Sequence, residues 1–152
     1  MKTSIFFMTG WLAAAGCSWG TGPDEKVAEE VATAFAEAYF DCDLTRALRY
    51  VTPESRRWVA FAASNVGQAT VDLLNGRGED EQTTVTLTGR EQADDSTVVV
   101  RLRVENGLAA DSIGAAGSIG DGDCYALRVV NREGRWMVKM EGLPRSERRS
   151  RD

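Results

Sequence analysis

TVVVRLRV, residues 97–104, decides the fold. Its alternation puts Val98, Val100, Leu102 and Val104 on one face and Val99, Arg101 and Arg103 on the other. That is the period-2 signature of a strand with one buried and one wet side. Working back, TTVTLT at 83–88 alternates in the same way, and the polar run from Glu91 to Ser96 reads as the turn between the two. Working forward, Tyr125–Asn131 and Arg135–Glu141 form two more strands. Arg132-Glu133-Gly134 joins them as a three-residue hairpin loop with a bulge. The Gly- and Ala-rich stretch from Asn106 to Asp123 carries Ser-Ile-Gly twice and reads as a long loop with a bulge or helical turn.

Before Gly78 the period is 3.6. Val27, Val31, Ala34, Phe35 and Ala38 share one face of a helix from Asp24, its cap, to Tyr39. A second helix runs from Asp43 as N-cap through Leu44, Ala47, Leu48 and Val51. Thr52-Pro53 starts a third, with Pro at the first helical position. It continues through Trp58, Phe61, Ala62, Val66, Ala69, Leu73 and Leu74 until Asn75-Gly76 stops it. Helices followed by a four-stranded antiparallel meander give an α+β fold.

The N-terminus carries a separate message. In MKTSIFFMTGWLAAAGC (1–17), Lys2 precedes an apolar run from Ile5 to Ala15, and Ala14, Ala15 and Gly16 lead into Cys17. The run is too short to span a bilayer, which takes about 20 residues. It has the layout of a secretory signal and resembles the lipobox of bacterial lipoproteins, in which the cysteine after the cut carries lipid. Ala14 stands where Leu is usual, so a plain signal peptide cut elsewhere is the rival reading. The resulting organisation is a signal peptide at 1–16, a lipid-anchored flexible linker at 17–23, one α+β domain at 24–143 and a disordered charged tail at 144–152. Ser18 is not the Asp that retains some lipoproteins at the inner membrane, so the expected address is the outer membrane of a bacterial envelope.

Loss of Lys2 with the leader leaves 17 basic against 23 acidic side chains, a net charge of −6. That balance argues against nucleic acid, which is bound through basic surface. In an oxidising compartment Cys42 and Cys124 are an even pair and are expected to form a disulfide. On the chain-entropy account such a bond would contribute roughly 4–5 kcal/mol.

VATAFAEAYFDCDLTRALRYVTPESRR (31–57) and YALRVVNREGRWMVKM (125–140), in this order after a lipobox, resemble small lipoproteins of the nuclear transport factor two-like, or cystatin-like, superfamily. The resemblance implies a curved four-stranded or slightly larger antiparallel sheet wrapped around a long helix, as a cone with a pocket at its open end. It implies little about chemistry, because one fold hosts many activities.

The chain has no histidine, which removes Ser-His-Asp and Cys-His catalysis. An Asp–Tyr pair drawn from Tyr39, Asp41, Asp43 and Tyr50 would serve an isomerase- or dehydratase-like enzyme. The plainer reading makes Asp43 a helix cap and the tyrosines core edges. Asp41, Asp43, Asp121 and Asp123 flank the two cysteines and form a weak calcium candidate, against a capping and turn-forming role. Tyr39, Trp58, Tyr125 and Trp136 either line a ligand pocket at the cone's mouth or fill the core. Arg101, Arg103 and Arg128 mark either a convex face for homodimerisation or docking, or an ordinary solvated strand face. The basic tail, Arg145, Arg148, Arg149 and Arg151, is diluted by Glu147 and Asp152. The leading expectation is an envelope binding or interaction module without catalysis or cofactor. It would be held to the membrane by its N-terminal lipid and would take a small ligand, between the first helix and the concave sheet, or an envelope protein.

Overall fold

The apolar face of residues 97–104 is buried as its alternation demands, with Val98, Val100, Leu102 and Val104 each at most 1% exposed. The computed structural model describes residues 23–112, 115–118 and 122–147; the signal segment, Cys17 and residues 148–152 lie outside them. The architecture is α+β. Strands β1 (Thr84–Asp94), β2 (Thr97–Glu105), β5 (Asp123–Arg132) and β6 (Arg135–Lys139) form one antiparallel sheet in the order β1-β2-β5-β6. Strands β3 (Leu108–Ser112) and β4 (Ala115–Ser118) pair as a separate hairpin, where the sequence suggested a loop. Asn106, with φ 55°, turns the chain out of β2, and the buried Leu108 pins the start of the hairpin.

Two turns are tighter than expected. β1 runs on to Asp94, so only Asp95 and Ser96 join it to β2, and Asp94 Oδ1 accepts the Ser96 N–H at 2.8 Å. Between β5 and β6 the loop is two residues, Glu133 (φ 56°) and Gly134 (φ 81°), flanked by the pair Arg132 and Arg135. Two successive positive φ values are those of a type I′ turn, whose twist matches the strands it joins.

β1 carries a register shift between Leu87 and Gly89. The extra residue changes which side chains look inward. Val85 and Leu87 sit opposite Val104 and Leu102, whereas beyond the shift Arg90 sits opposite Val100. Arg90 thereby reaches helix α1 (Pro23–Phe40) and pairs with Glu25 at 3.1 Å and with Glu29.

α1 lies on the inner face of this sheet and touches all four strands. Its buried stripe is Ala28, Ala32, Phe35, Ala36 and Tyr39, while Val27 is 43% exposed. The stripe is turned by about one residue from the one expected. Alanines four apart let the helix axis approach the strands closely, and the sheet claims that side over the bulkier valine.

α2 is one turn, Leu44–Ala47, with Asp43 at its N-cap. The chain then leaves helix early, because Val51 bridges Val138 in parallel beside β6. Val138 N donates to the Tyr50 carbonyl at 2.7 Å and Thr52 N to the Val138 carbonyl at 3.0 Å. Thr52-Pro53 opens a 3-10 turn, Pro53–Ser55, not a long helix. Its hydroxyls turn inward: Thr52 Oγ1 lies 2.6 Å from Ser55 Oγ, which accepts the Met140 N–H at 2.8 Å. Both residues are fully buried. The single helix expected beyond is two, α3 (Arg56–Ser64) and α4 (Gln68–Asn75), divided at Asn65–Gly67.

The chain after β6 also departs from expectation. Ser146 is buried and Glu147 N donates to the Cys124 carbonyl at 2.8 Å, so ordered packing extends through 144–147. Among the described residues no helix is long and apolar enough to cross a membrane.

Candidate functional site

The C-terminal end of α1 builds the site. Asp43 N donates to the Ala38 carbonyl at 2.9 Å and Cys42 N to the Tyr39 carbonyl at 3.1 Å. With Cys42 at φ 58° this is a Schellman closure, in which a left-handed residue, usually Gly, ends the helix. The closure sets Asp41 beside the segment that follows α4. Arg77 Nη1 donates to Asp41 Oδ1 at 3.0 Å and Arg77 Nη2 to the Asn106 carbonyl. Thr83 Oγ1 donates to the same Asp41 oxygen at 2.9 Å. The Arg77 side chain is only 11% exposed. A nearly buried guanidinium needs a matching charge and acceptors, and Asp41 and Asn106 supply them. This cluster ties α1, the end of α4, the start of β1 and the β2–β3 turn to one point.

Over the cluster opens a cleft of about 640 Å³ lined by Ala69, Asp72, Leu73, Gly76, Arg77 and Glu81 from one side, and by Asn106 and Leu108 from the other. Ala69, Asp72, Leu73 and Gly76 follow helical spacing, so they form one face of α4. α4 stands away from the main sheet, leaving Val71 38% and Leu73 44% exposed. The lining thus sets apolar side chains, Ala69, Leu73 and Leu108, beside the acidic residues Asp72 and Glu81.

The residues expected to line a pocket are elsewhere. Tyr39, Tyr125 and Trp136 are buried core. Tyr39 stacks on Phe35 at 5.5 Å and meets Phe40 edge-on at 5.2 Å, and Phe40 packs on Tyr125 at 4.6 Å. Burial pushes both hydroxyls up: Tyr39 well above the ordinary range, with help from Cys42 and Tyr125, and Tyr125 to about 12, with help from Asp123. Trp58 is half-buried, with the Arg57 guanidinium 5.1 Å from its ring centroid. The indole N–H groups of Trp58 and Trp136 are buried without a hydrogen-bond partner. Tyr39 and Tyr125 are thus brought together as core packing with Phe35 and Phe40.

The carboxylates divide similarly. Asp41 belongs to Arg77 and Thr83. Asp43 accepts the Arg46 N–H at 3.1 Å as the α2 cap, and Tyr50 gives its carbonyl to β6. Asp121 lies outside the described residues, among which no group of three or more His, Cys, Asp or Glu side chains is placed to hold a metal.

Cys42 and Cys124 are free thiols here, both half-buried, and the expected disulfide is not made. The pleat supplies the reason: Tyr125 points inward opposite Leu102, so Cys124 points outward opposite Arg103. Cys42 lies in the closure at the C-terminal end of α1. Burial raises the Cys42 thiol, with Arg77 opposing and Asp41 adding to the shift.

On the outer face Arg101 pairs with Glu147 at 3.4 Å and Glu91 at 3.6 Å, and Arg103 with Glu105 at 3.2 Å. Arg128 pairs with Glu141 at 3.7 Å. Gly122, at φ 92°, lies under the Arg103 side chain, where an added Cβ would come within 2.8 Å of its Nε.

Sequence reasoning missed Arg77, Thr83 and Asn106. A lone arginine inside the breaker run Asn75-Gly76-Arg77-Gly78 was the available signal, together with the turn-forming Asn106-Gly107. Comparison with known proteins returns no matching family model, no matching curated protein and no matching solved structure.

Proposed function

We propose that this chain is a lipid-anchored envelope module that binds a small, largely apolar ligand and does not act on it chemically. The observation that carries the reading is the cleft between α4 and the β2–β3 turn, formed on a fixed base by the Arg77–Asp41 cluster. Its volume lies in the range of small-molecule sites, and Ala69, Leu73 and Leu108 give it apolar lining beside a helix that stands off the sheet. The tethering half rests on the lipobox ending at Cys17. We further read the arrangement as the nuclear transport factor two-like cone, supported by α1 on the inner face of the sheet and by the bulged, bent margin strand β1. The non-catalytic half is supported by the dispersal of the Asp–Tyr candidates: Tyr39 is packed and Asp41 is held by Arg77.

The experiment uses the full chain expressed with its leader and the soluble domain from residue 18 onward. N-phenyl-1-naphthylamine, a neutral apolar fluorophore, is expected to bind the domain, and Ala69→Trp, which fills the cleft, to weaken it about tenfold or more. An unchanged melting temperature in that variant keeps the loss specific. Equal binding by wild type and variant, or none by either, overturns the cleft. Metabolic labelling with a fatty acid is expected to mark the wild type and not Cys17→Ala; an unlabelled wild type overturns the anchor.

A further inference from the structure

We propose that the cleft selects a cationic amphiphile, a molecule with a short apolar body and an ammonium-like head, over neutral or anionic ones of the same size. This inference rests on the cleft being a ligand site. Three features set its polarity. Asp72 and Glu81 both line the cleft, and among the described residues neither forms an ion pair with a basic side chain. Asp72 Oδ1 accepts from Gln68 Nε2 at 2.9 Å and Glu81 Oε2 from the Gly78 N–H at 3.4 Å. Among the described lining residues the one cation, Arg77, is already matched by Asp41 at 3.0 Å and engaged by the Asn106 carbonyl. It neutralises its own partner and not Asp72 or Glu81.

The third feature is the end of α4. Gly76, in the lining, is the C-cap of that helix, and the last turn of α4 holds no basic residue. A helix C-terminus carries partial negative charge, which favours a cation nearby. Glu79 and Asp80, in the same turn as Glu81, add to the field without lining the cleft. Ala69, Leu73 and Leu108 offer the apolar body its contact. A cation thus meets two carboxylates and a helix end, whereas an anion meets the same groups as repulsion.

The test compares octylammonium, 1-octanol and octanoate, which share one alkyl chain, by calorimetric titration of the domain at neutral pH and low salt. Octylammonium is expected to bind about three- to tenfold tighter than 1-octanol, the range for exposed charge pairs, with octanoate weakest. The Asp72→Asn/Glu81→Gln variant is expected to bring octylammonium down to the level at which the same variant binds 1-octanol. Raising salt to about 0.5 M should narrow the same gap by screening. Octanoate or 1-octanol binding as tightly as octylammonium overturns the selectivity and leaves the cleft standing, as does a variant that keeps the full preference. Failure of all three ligands and of N-phenyl-1-naphthylamine overturns the cleft itself.

Discussion

The face of α1 that meets β2, β5 and β6 and the margin formed by α4 and β1 are built on opposite terms. On the first, Ala28, Ala32, Phe35, Ala36 and Phe40 are fully buried against valines that are fully buried in turn. On the second, Val71, Leu73 and Leu87 are each more than a third exposed. α4 buries Thr70 alone and is tied beyond its C-terminal end through Arg77, whereas α1 is held by area. Packed area is stable and hard to rearrange. A helix held at one end leaves a cleft beside it and opens at lower free energy. The contrast places the rigid scaffold and the proposed binding element in different parts of one small domain.

Truncation gives the sharpest test of the contrast. Phe40→Ala removes a ring packed on Tyr39 and Tyr125 and is expected to cost about 3–5 kcal/mol in urea unfolding. Leu73→Ala on α4 should stay within about 0.5 kcal/mol. Similar costs for the two would erase the distinction. The next effect lies at the fixed end of α4. Arg77→Ala leaves Asp41 without its charge partner and takes a donor from the Asn106 carbonyl, and is expected to cost about 1–3 kcal/mol. Hydrogen exchange should show the loss first in α4 amides, with β2 and β5 still protected; uniform loss of protection would mean that α4 belongs to the core.

Cys42 tests how α1 ends. Its left-handed backbone suits glycine, so Cys42→Gly is expected to raise stability by about 1 kcal/mol, and Cys42→Ala to give no such gain. A loss of about 2–5 kcal/mol instead, seen only in oxidised protein, would mean that the thiol is cross-linked after export. The smallest effect is at the surface. Arg132 holds the exposed Glu54 carboxyl down at about 2, from an ordinary 4.5. A lowered folded value means that the pair's contribution is present above pH 4.5 and is lost as pH falls toward about 2. In Arg132→Gln the Glu54 titration followed by NMR should return toward its ordinary value with the melting temperature at neutral pH nearly unchanged.

Much of the fold was legible. The alternation at 97–104 and 125–131 gave strands, the spacing at 27–38 gave a helix, and their order gave the α+β class. Three features were not legible, for identifiable reasons. Periodicity fixes that α1 is amphipathic but not which side wins when alanine and valine are both available; close approach to the sheet chose alanine. Thr52-Pro53-Glu54-Ser55 reads as a helix start, yet its hydroxyls serve the end of β6, a partner about eighty residues away that a local signal does not contain. The candidate site was the least legible part. Tyr39 and Tyr125 looked like ligand groups because aromatic side chains suit both pockets and cores, and only their mutual packing with Phe35 and Phe40 decides between the two.

The sequence by itself determined the first helix and the four strands of the main sheet, the absence of histidine chemistry and the net negative charge, because these follow from side-chain identity and spacing along the chain. Only the tertiary structure decided that Cys42 and Cys124 stay free thiols, that Arg77 answers Asp41, and that a cleft opens beside α4. Each of those depends on which residues far apart in the chain come to share one volume. That is set by pleat, bulge and helix approach, and no local pattern carries it.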